Sequence, residues 1–230
     1  MQTDLGYILY KKDWKDTSLW IDIFLKEGGK RPFVARGIKR KKNLDLPFFT
    51  PVEVHWEERT QFPQLHALEP LVPTLPGRLA GQALFAGLYL NELLYHLLAY
   101  GDPHTALWEE LEETLEVLYH TPSKIPLRLR TFELRLLRYL GFAPNCEHDA
   151  RTEEAICTQS QYLYYPNEGF VRAAVGVGAR YIIPGELILQ MGQEELSDLR
   201  TQKLIKKLFM HRVLEMLPGK TQNASLWWSL

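Results

Sequence analysis

Residues 18–38 read Ser18-Leu19-Trp20-Ile21-Asp22-Ile23-Phe24-Leu25, then Lys26-Glu27-Gly28-Gly29-Lys30, then Arg31-Pro32-Phe33-Val34-Ala35-Arg36-Gly37-Ile38. Side chains alternate across an extended chain, so Leu19, Ile21, Ile23 and Leu25 share one face while Ser18, Trp20, Asp22 and Phe24 share the other. Glu27–Lys30 is a turn signal that folds this strand onto a second one over residues 31–38. Further out, Gly6–Lys11 is apolar and ends in Lys11-Lys12-Asp13, residues 48–57 alternate through Val52, Val54 and Trp56, and residues 65–68 form a short fifth segment. Five hairpin-linked strands predict a small barrel. An OB-fold is the commonest such object and a five-stranded SH3-like barrel is the alternative; periodicity alone does not separate them.

Pro70, Pro73 and Pro76 follow, and such punctuation reads as an extended linker. Beyond it the period becomes helical. Residues 81–100 are apolar nearly all round, as in a central helix. Asp102-Pro103 starts a helix over 104–119 with an acidic face from Glu109 to Glu116 and an apolar one through Leu107, Leu111, Leu115 and Leu118. A third helix spans 127–140, with Leu129, Phe132, Leu136 and Leu137 as its core face, and Gly141 closes it. A β-hairpin around Pro166-Asn167-Glu168-Gly169, a short helix over 184–191 and a last helix over 194–217 complete the chain. The fold class is β plus α in two domains. An OB-fold barrel over residues 1–72 precedes a mainly helical domain with a small hairpin over residues 73–230.

The 230 residues carry 27 Lys plus Arg against 28 Asp plus Glu, with 46% apolar and 24% charged residues. These are ordinary globular values, which excludes a long disordered tail and a strongly basic packaging protein. Two cysteines form no disulfide framework, no secretory leader is read at Met1-Gln2-Thr3-Asp4, and residues 79–100 are too polar to span a bilayer. A soluble, cytoplasmic protein is expected. The near-neutral total hides an uneven distribution: +2 over residues 1–70, -5 over 71–160 and +2 over 161–230. Arg36-Gly37-Ile38-Lys39-Arg40-Lys41-Lys42 places five cations in seven residues with no anion. An extended polyanion responds to such a local field rather than to the net charge.

Signs of bond chemistry are few. The chain has no phosphate-binding glycine loop, no Gly-x-Ser-x-Gly elbow and no His-Glu-x-x-His. Cys146, His148 and Cys157 make one incomplete metal-like cluster, short of the four ligands that structural zinc requires. No metal and no cofactor is therefore expected, and no catalytic residue is assigned.

Several motifs occur in an order that resembles the bacterial RecO family of recombination mediators. In the first domain these are Thr17-Ser18-Leu19, Glu27-Gly28-Gly29-Lys30, Val34-Ala35-Arg36-Gly37 and Leu46-Pro47-Phe48. In the second they are Gly87-Leu88-Tyr89-Leu90-Asn91-Glu92-Leu93-Leu94 and Phe132-Glu133-Leu134-Arg135-Leu136-Leu137 through Leu140-Gly141-Phe142. The chain lacks the two cysteine pairs of many members and resembles the zinc-free branch. The resemblance implies a protein that binds single- and double-stranded DNA and anneals complementary strands. It also implies contact with the C-terminal tail of single-stranded-DNA-binding protein, action with RecR and help in loading RecA.

Annealing needs phosphate repulsion screened and bases left free to pair, and Lys and Arg do the first by displacing counterions. Arg36, Lys39, Arg40, Lys41 and Lys42 are the expected DNA contacts, with Lys11, Lys12 and Arg31 on neighbouring strand ends. Trp20, Phe33 and Phe48 are candidates for base stacking, against the simpler role of barrel core. An acidic tail with an apolar end wants an apolar pocket rimmed by arginine. Arg128, Arg130 and Arg135 beside Phe132 are the expected pocket, with Lys203–Lys207 of the last helix as the alternative. The rival readings are a magnesium-dependent nuclease, which needs converging acids near the basic loop where only Asp45 and Glu53 stand, and a protein-only scaffold.

Overall fold

The computed structural model describes residues 1–38, 48–59, 62–71, 79–174 and 182–216. Lys39–Lys42, the proline stretch from residue 72 to 78 and the apolar tail ending in Trp227-Trp228-Ser229-Leu230 lie outside these. Two compact units divide between Ile125 and Pro126.

In the first unit, β1 (Gln2–Trp14), β2 (Ser18–Leu25), β3 (Gly29–Ala35), β4 (Val52–Glu57) and β5 (Gln64–Pro70) close a barrel in the order β1-β2-β3-β5-β4. Every ladder is antiparallel except β3 with β5, which meet in parallel at Val34 and Gln64. This is the OB order, and it removes the SH3-like alternative. Strand β1 is longer than the apolar run Gly6–Lys11 because it serves two partners. Gln2–Gly6 pair with β4 and Gly6–Trp14 with β2. At the handover only glycine fits: a Cβ on Gly6 would collide with the side chains of Ile23 and Val54.

Ile8, Ile21, Ile23, Leu25, Phe33, Val52 and Val54 are fully buried inside the barrel. Each such side chain contributes ~1.5–3 kcal/mol relative to exposure. The second face of β2 is covered as well, since Asp22 and Phe24 have no exposed surface. The cover is α1 (Gly81–Leu97) and α2 (Thr105–His120). Trp108 of α2 packs on Tyr7 at 4.6 Å and Phe24 at 5.8 Å between ring centroids. A register shift between Ile8 and Tyr10 interrupts the ladder, and the Ile8 carbonyl accepts a 3.1 Å hydrogen bond from Asn91 Nδ2. Lys30, 4% exposed, donates to the Tyr95 carbonyl at 2.6 Å and lies 4.4 Å over the Tyr100 ring, whose hydroxyl donates to Asp22. These contacts explain why compactness divides the chain after α2 rather than at the proline stretch. They also give α1 two faces, with Phe85 and Leu88 exposed, where the sequence suggested apolar cover all round.

The second unit begins within α3 (Ile125–Tyr139). It holds β6 (Gln161–Tyr165), β7 (Gly169–Arg172) and β8 (Ile183–Pro184) in the order β7-β6-β8, then α4 (Gly185–Gly192) and α5 (Leu199–Met216). The Asp149 carboxylate ties the irregular segment before β6 to β7 by accepting the backbone N–H groups of Arg151, Thr152 and Arg172. The last helix starts five residues later than its periodicity suggests. Glu194 adopts a left-handed φ of 59° and turns its carboxylate to Arg135 and Arg138. Among the described residues no helix is long and apolar enough to cross a membrane.

Candidate nucleic-acid interface

The β1–β2 turn and the β4–β5 connection flank the place where β3 and β5 meet through a single bridge pair. Between them lies a cleft of about 600 Å³ lined by Trp14, Lys15, Ser18, Arg36, Arg59 and Phe62, among others. These are the two loops and the strand face that OB-folds use to hold oligonucleotides. Arg36 and Lys15 are exposed and have no ion pair among the described residues. Arg59 is paired with Glu57 at 2.7 Å, both half in solvent, an association worth little and readily exchanged for a phosphate. Trp20 braces the cleft wall: its ring lies 5.3 Å from Trp14 and 4.7 Å from Phe62, and its indole N–H donates to Asp22 at 2.9 Å.

The expected DNA contacts separate into groups. Arg36 lines the cleft, and Lys12 sits 5.4 Å over the Trp20 ring. Lys11 leaves β1 on the opposite face and lies 4.6 Å over Phe48. Arg31 is neutralised by Glu58 at 2.9 Å and rests against Trp56. Lys39, Arg40, Lys41 and Lys42 lie outside the described residues. Of the stacking candidates, Phe33 is core, Phe48 packs on the core and Trp20 borders the cleft. Trp14, Lys15, Arg59 and Phe62 went unnoticed in the sequence. The signal available was a ring and a cation at the end of each of two strands.

The expected partner pocket on α3 is not formed. Phe132 is fully buried, and Arg130 is 4% exposed and paired with Glu133 at 2.8 Å. Arg135 binds Glu194 through Nε and Nη2 at 3.0 and 2.9 Å, and Arg128 is half-buried with a partner of its own. The reason is that α3 is a core helix on more than one side, with Leu134 buried as well as Leu129 and Leu136. Burial raises the Glu194 carboxyl, but the hydrogen bonds and charges of Arg135 and Arg138 outweigh it and hold the group below the usual carboxylate range. Along α5, Lys203, Lys207 and His211 are exposed at four-residue spacing. They border an apolar groove of about 560 Å³ floored by Tyr164, Ile183, Leu187, Leu204 and Leu208.

Cys146, His148 and Cys157 do not converge to ligand distance among the described residues. Cys146 is a half-buried thiol pushed up to about 11 by desolvation. The convergent group among the described residues is Glu53, His55 and Glu69, on the outer face of β4 and β5. There His55 Nε2 lies 3.2 Å from the Glu53 carboxylate and Nδ1 lies 3.1 Å from the Thr3 hydroxyl.

An OB barrel bearing a cationic cleft walled with aromatic rings, followed by a helical region, defines a DNA-binding protein without a recognisable catalytic centre among its described residues. The family described as Recombination protein O N terminal matches residues 1–73, and that described as Recombination protein O C terminal matches residues 78–201. DNA repair protein RecO of Dechloromonas aromatica is 34% identical over 225 residues, covering 94% of this chain and 90% of that protein. DNA repair protein RecO of Cellvibrio japonicus is 32% identical over 213 residues, covering 90% and 89%. The chain belongs to the RecO family of DNA repair and recombination proteins.

Proposed function

We propose that the chain is a recombination mediator that binds single- and double-stranded DNA and anneals complementary strands, including strands coated by single-stranded-DNA-binding protein. With RecR it assists the loading of RecA. The observation that carries this reading is the cleft of exposed cations and rings on the OB barrel of a RecO-family chain. Residues 1–72 act as the DNA-binding domain. Arg36, Lys39, Arg40, Lys41, Lys42, Lys11 and Lys12 displace counterions from phosphate, with Lys15 and Arg59 added from the cleft and Arg31 held in reserve by Glu58. No bond is made or broken, so the reading assigns no enzyme activity, nucleotide or metal. The working compartment is the cytoplasm, at the nucleoid.

Residues 73–230 are the partner-binding domain. An acidic tail with an apolar end suits the groove on α5, where apolar side chains form the floor and Lys203, Lys207 and His211 the rim, while Arg200 beside them is paired with Asp198 at 2.7 Å. This groove replaces the Arg128, Arg130, Phe132 and Arg135 set as the proposed tail site because Phe132 is fully buried and Arg130 is only 4% exposed.

The test is annealing of complementary strands, bare and pre-coated with single-stranded-DNA-binding protein, in the presence of a chelator. Accelerated renaturation in both cases is expected. Shortened strands on adding magnesium would mean a nuclease, and failure to shift any oligonucleotide would mean a scaffold. Charge reversal at Lys203 and Lys207 is expected to abolish annealing of coated strands while sparing bare ones.

A further inference from the structure

Strand β4 turns Val52, Val54 and Trp56 into the barrel, so Glu53 and His55 share its outer face. The ladder register sets Glu69 of β5 directly opposite Glu53. Two like charges facing each other across an antiparallel pair are destabilising. Glu69 is exposed and has no ion pair among the described residues, so no side chain there offsets the repulsion. His55 adds a second anomaly. Its Nε2 is buried and lies 3.2 Å from the Glu53 carboxylate, yet it makes no hydrogen bond among the described residues. The two atoms are close without a proton aligned between them, which is how neighbouring ligands of one ion stand. On the other side of the ring, Nδ1 lies 3.1 Å from the hydroxyl of Thr3, which faces His55 across the β1–β4 ladder. With its proton on Nδ1, the imidazole donates to Thr3 and keeps a lone pair on Nε2. That is the tautomer and the outer hydrogen bond of a metal-binding histidine.

One ligand atom each from Glu53, His55 and Glu69 lie within 4.8 Å of one another. Zinc holds such ligands at ~2.0–2.2 Å, so a swing of the exposed Glu69 side chain by about 1 Å closes the shell. We infer that these three residues bind a first-row divalent cation of the zinc type, with water completing the coordination. Magnesium and calcium take shells of oxygen, whereas an imidazole beside two carboxylates suits zinc. The ion clips β5 to β4 one residue before β5 ends at Pro70. None of the three side chains lines the cationic cleft. The ion therefore stabilises the barrel and takes no part in annealing, and this inference stands or falls apart from the DNA-binding reading.

The experiment strips the full chain with chelator, then measures zinc uptake by equilibrium dialysis and thermal unfolding with and without zinc. The wild type is expected to take one equivalent and to unfold at a higher temperature when loaded. Glu53→Gln and Glu69→Gln are each expected to lose the uptake. In chelator both should be at least as stable as wild type, because each removes a like-charge contact, and in zinc the wild type should overtake them. Thr3→Val is expected to weaken zinc about tenfold, the usual effect of losing an outer partner. The double change Cys146→Ser with Cys157→Ser should leave uptake intact. No uptake by the wild type overturns the inference, as does uptake that survives in both glutamine variants or disappears with the cysteines. Equal binding of magnesium overturns the assignment to the zinc class. Because Glu69 is exposed, Glu69→Gln decides even if a change at His55 fails to fold.

Discussion

Arg36 and Lys15 stand exposed at the barrel cleft with no ion pair among the described residues, whereas Arg130, Arg135 and Arg138 of α3 are each held by a carboxylate. In the sequence the two groups look alike, and the α3 arginines even lie beside an apolar stripe that suggests a pocket. The difference is in what the fold returns to each. Arg130 meets Glu133 one turn along its own helix, with 5% and 1% of the side chains exposed. Arg135 and Arg138 meet Glu194, more than fifty residues away. A cation neutralised in this way is structure, and one left in solvent on a concave surface can take an anion. Cation density along the chain is therefore a weak guide to a site until the acids that answer it are located.

The sharpest way to break this contrast is to remove one member of the buried pair. Glu133→Gln leaves the Arg130 guanidinium buried without its counter-charge. Such a change costs ~3–5 kcal/mol, because the remaining charge has lost its solvent and gained nothing. Urea denaturation should show a large fall in the midpoint. The double change Arg130→Met with Glu133→Leu should recover most of it, since a buried ion pair replaced by packed apolar groups is often neutral or better. A Glu133→Gln protein as stable as wild type would put Arg130 back among the candidate surface residues.

A smaller effect separates the two groups by function. Replacing Arg36 or Lys15 with Ala removes one phosphate contact. The slope of log affinity against log salt for single-stranded DNA should then fall by about 0.7 per cation, with a several-fold loss of affinity at low salt. Arg135→Ala should leave the slope unchanged and lower stability instead. A slope that responds to Arg135 and ignores Arg36 would reverse the assignment.

Much of the fold was legible because hydrophobic patterning reports burial directly. The alternation of β2 gave Ile21, Ile23 and Leu25 as barrel core, and all three have no exposed surface. What patterning could not show was burial without apolarity: Asp22 and Lys30 are charged residue types that hydrophobic alternation gives no reason to bury, yet they are covered by α1 and the segment that follows it. Nor could it extend β1 to Gln2 and Trp14, where the strand is held by ladder bonds to β4 and β2 and its side chains are polar. The cleft was illegible for a related reason. Trp14 and Phe62 are 48 positions apart in sequence and share a wall only because the barrel closes between β3 and β5. Arg36 was found because it begins a run of charge. Lys15 and Arg59 stand beside acids in the sequence and lost their signal to them.

Glu194 provides the finest test of how firmly the α3 arginines are committed to structure. Its carboxylate accepts from Arg135 and Arg138, while Arg138 Nη2 also donates to the Gly192 carbonyl at 2.8 Å, so one cluster ties the end of α3 to the end of α4. Although burial opposes it, the balance of these contacts leaves the Glu194 carboxyl below its ordinary value in the folded chain. A depressed folded value means the unfolded chain takes up the proton first as pH falls. The stabilisation is therefore complete above the ordinary glutamate range, near pH 4.3 by the usual reference, and is lost as pH falls through the lower folded value. Glu194→Gln should cost about 1 kcal/mol at neutral pH, the upper end for pairs that keep a third of their surface in water. The gap between the two proteins' urea midpoints should hold steady from pH 7 to about 5 and narrow below the glutamate range. A gap that stayed constant down to strong acid would show that Gln satisfies the arginines as well as the carboxylate does. Geometry rather than charge would then join the helix ends, leaving Arg135 and Arg138 electrically available to a partner after all.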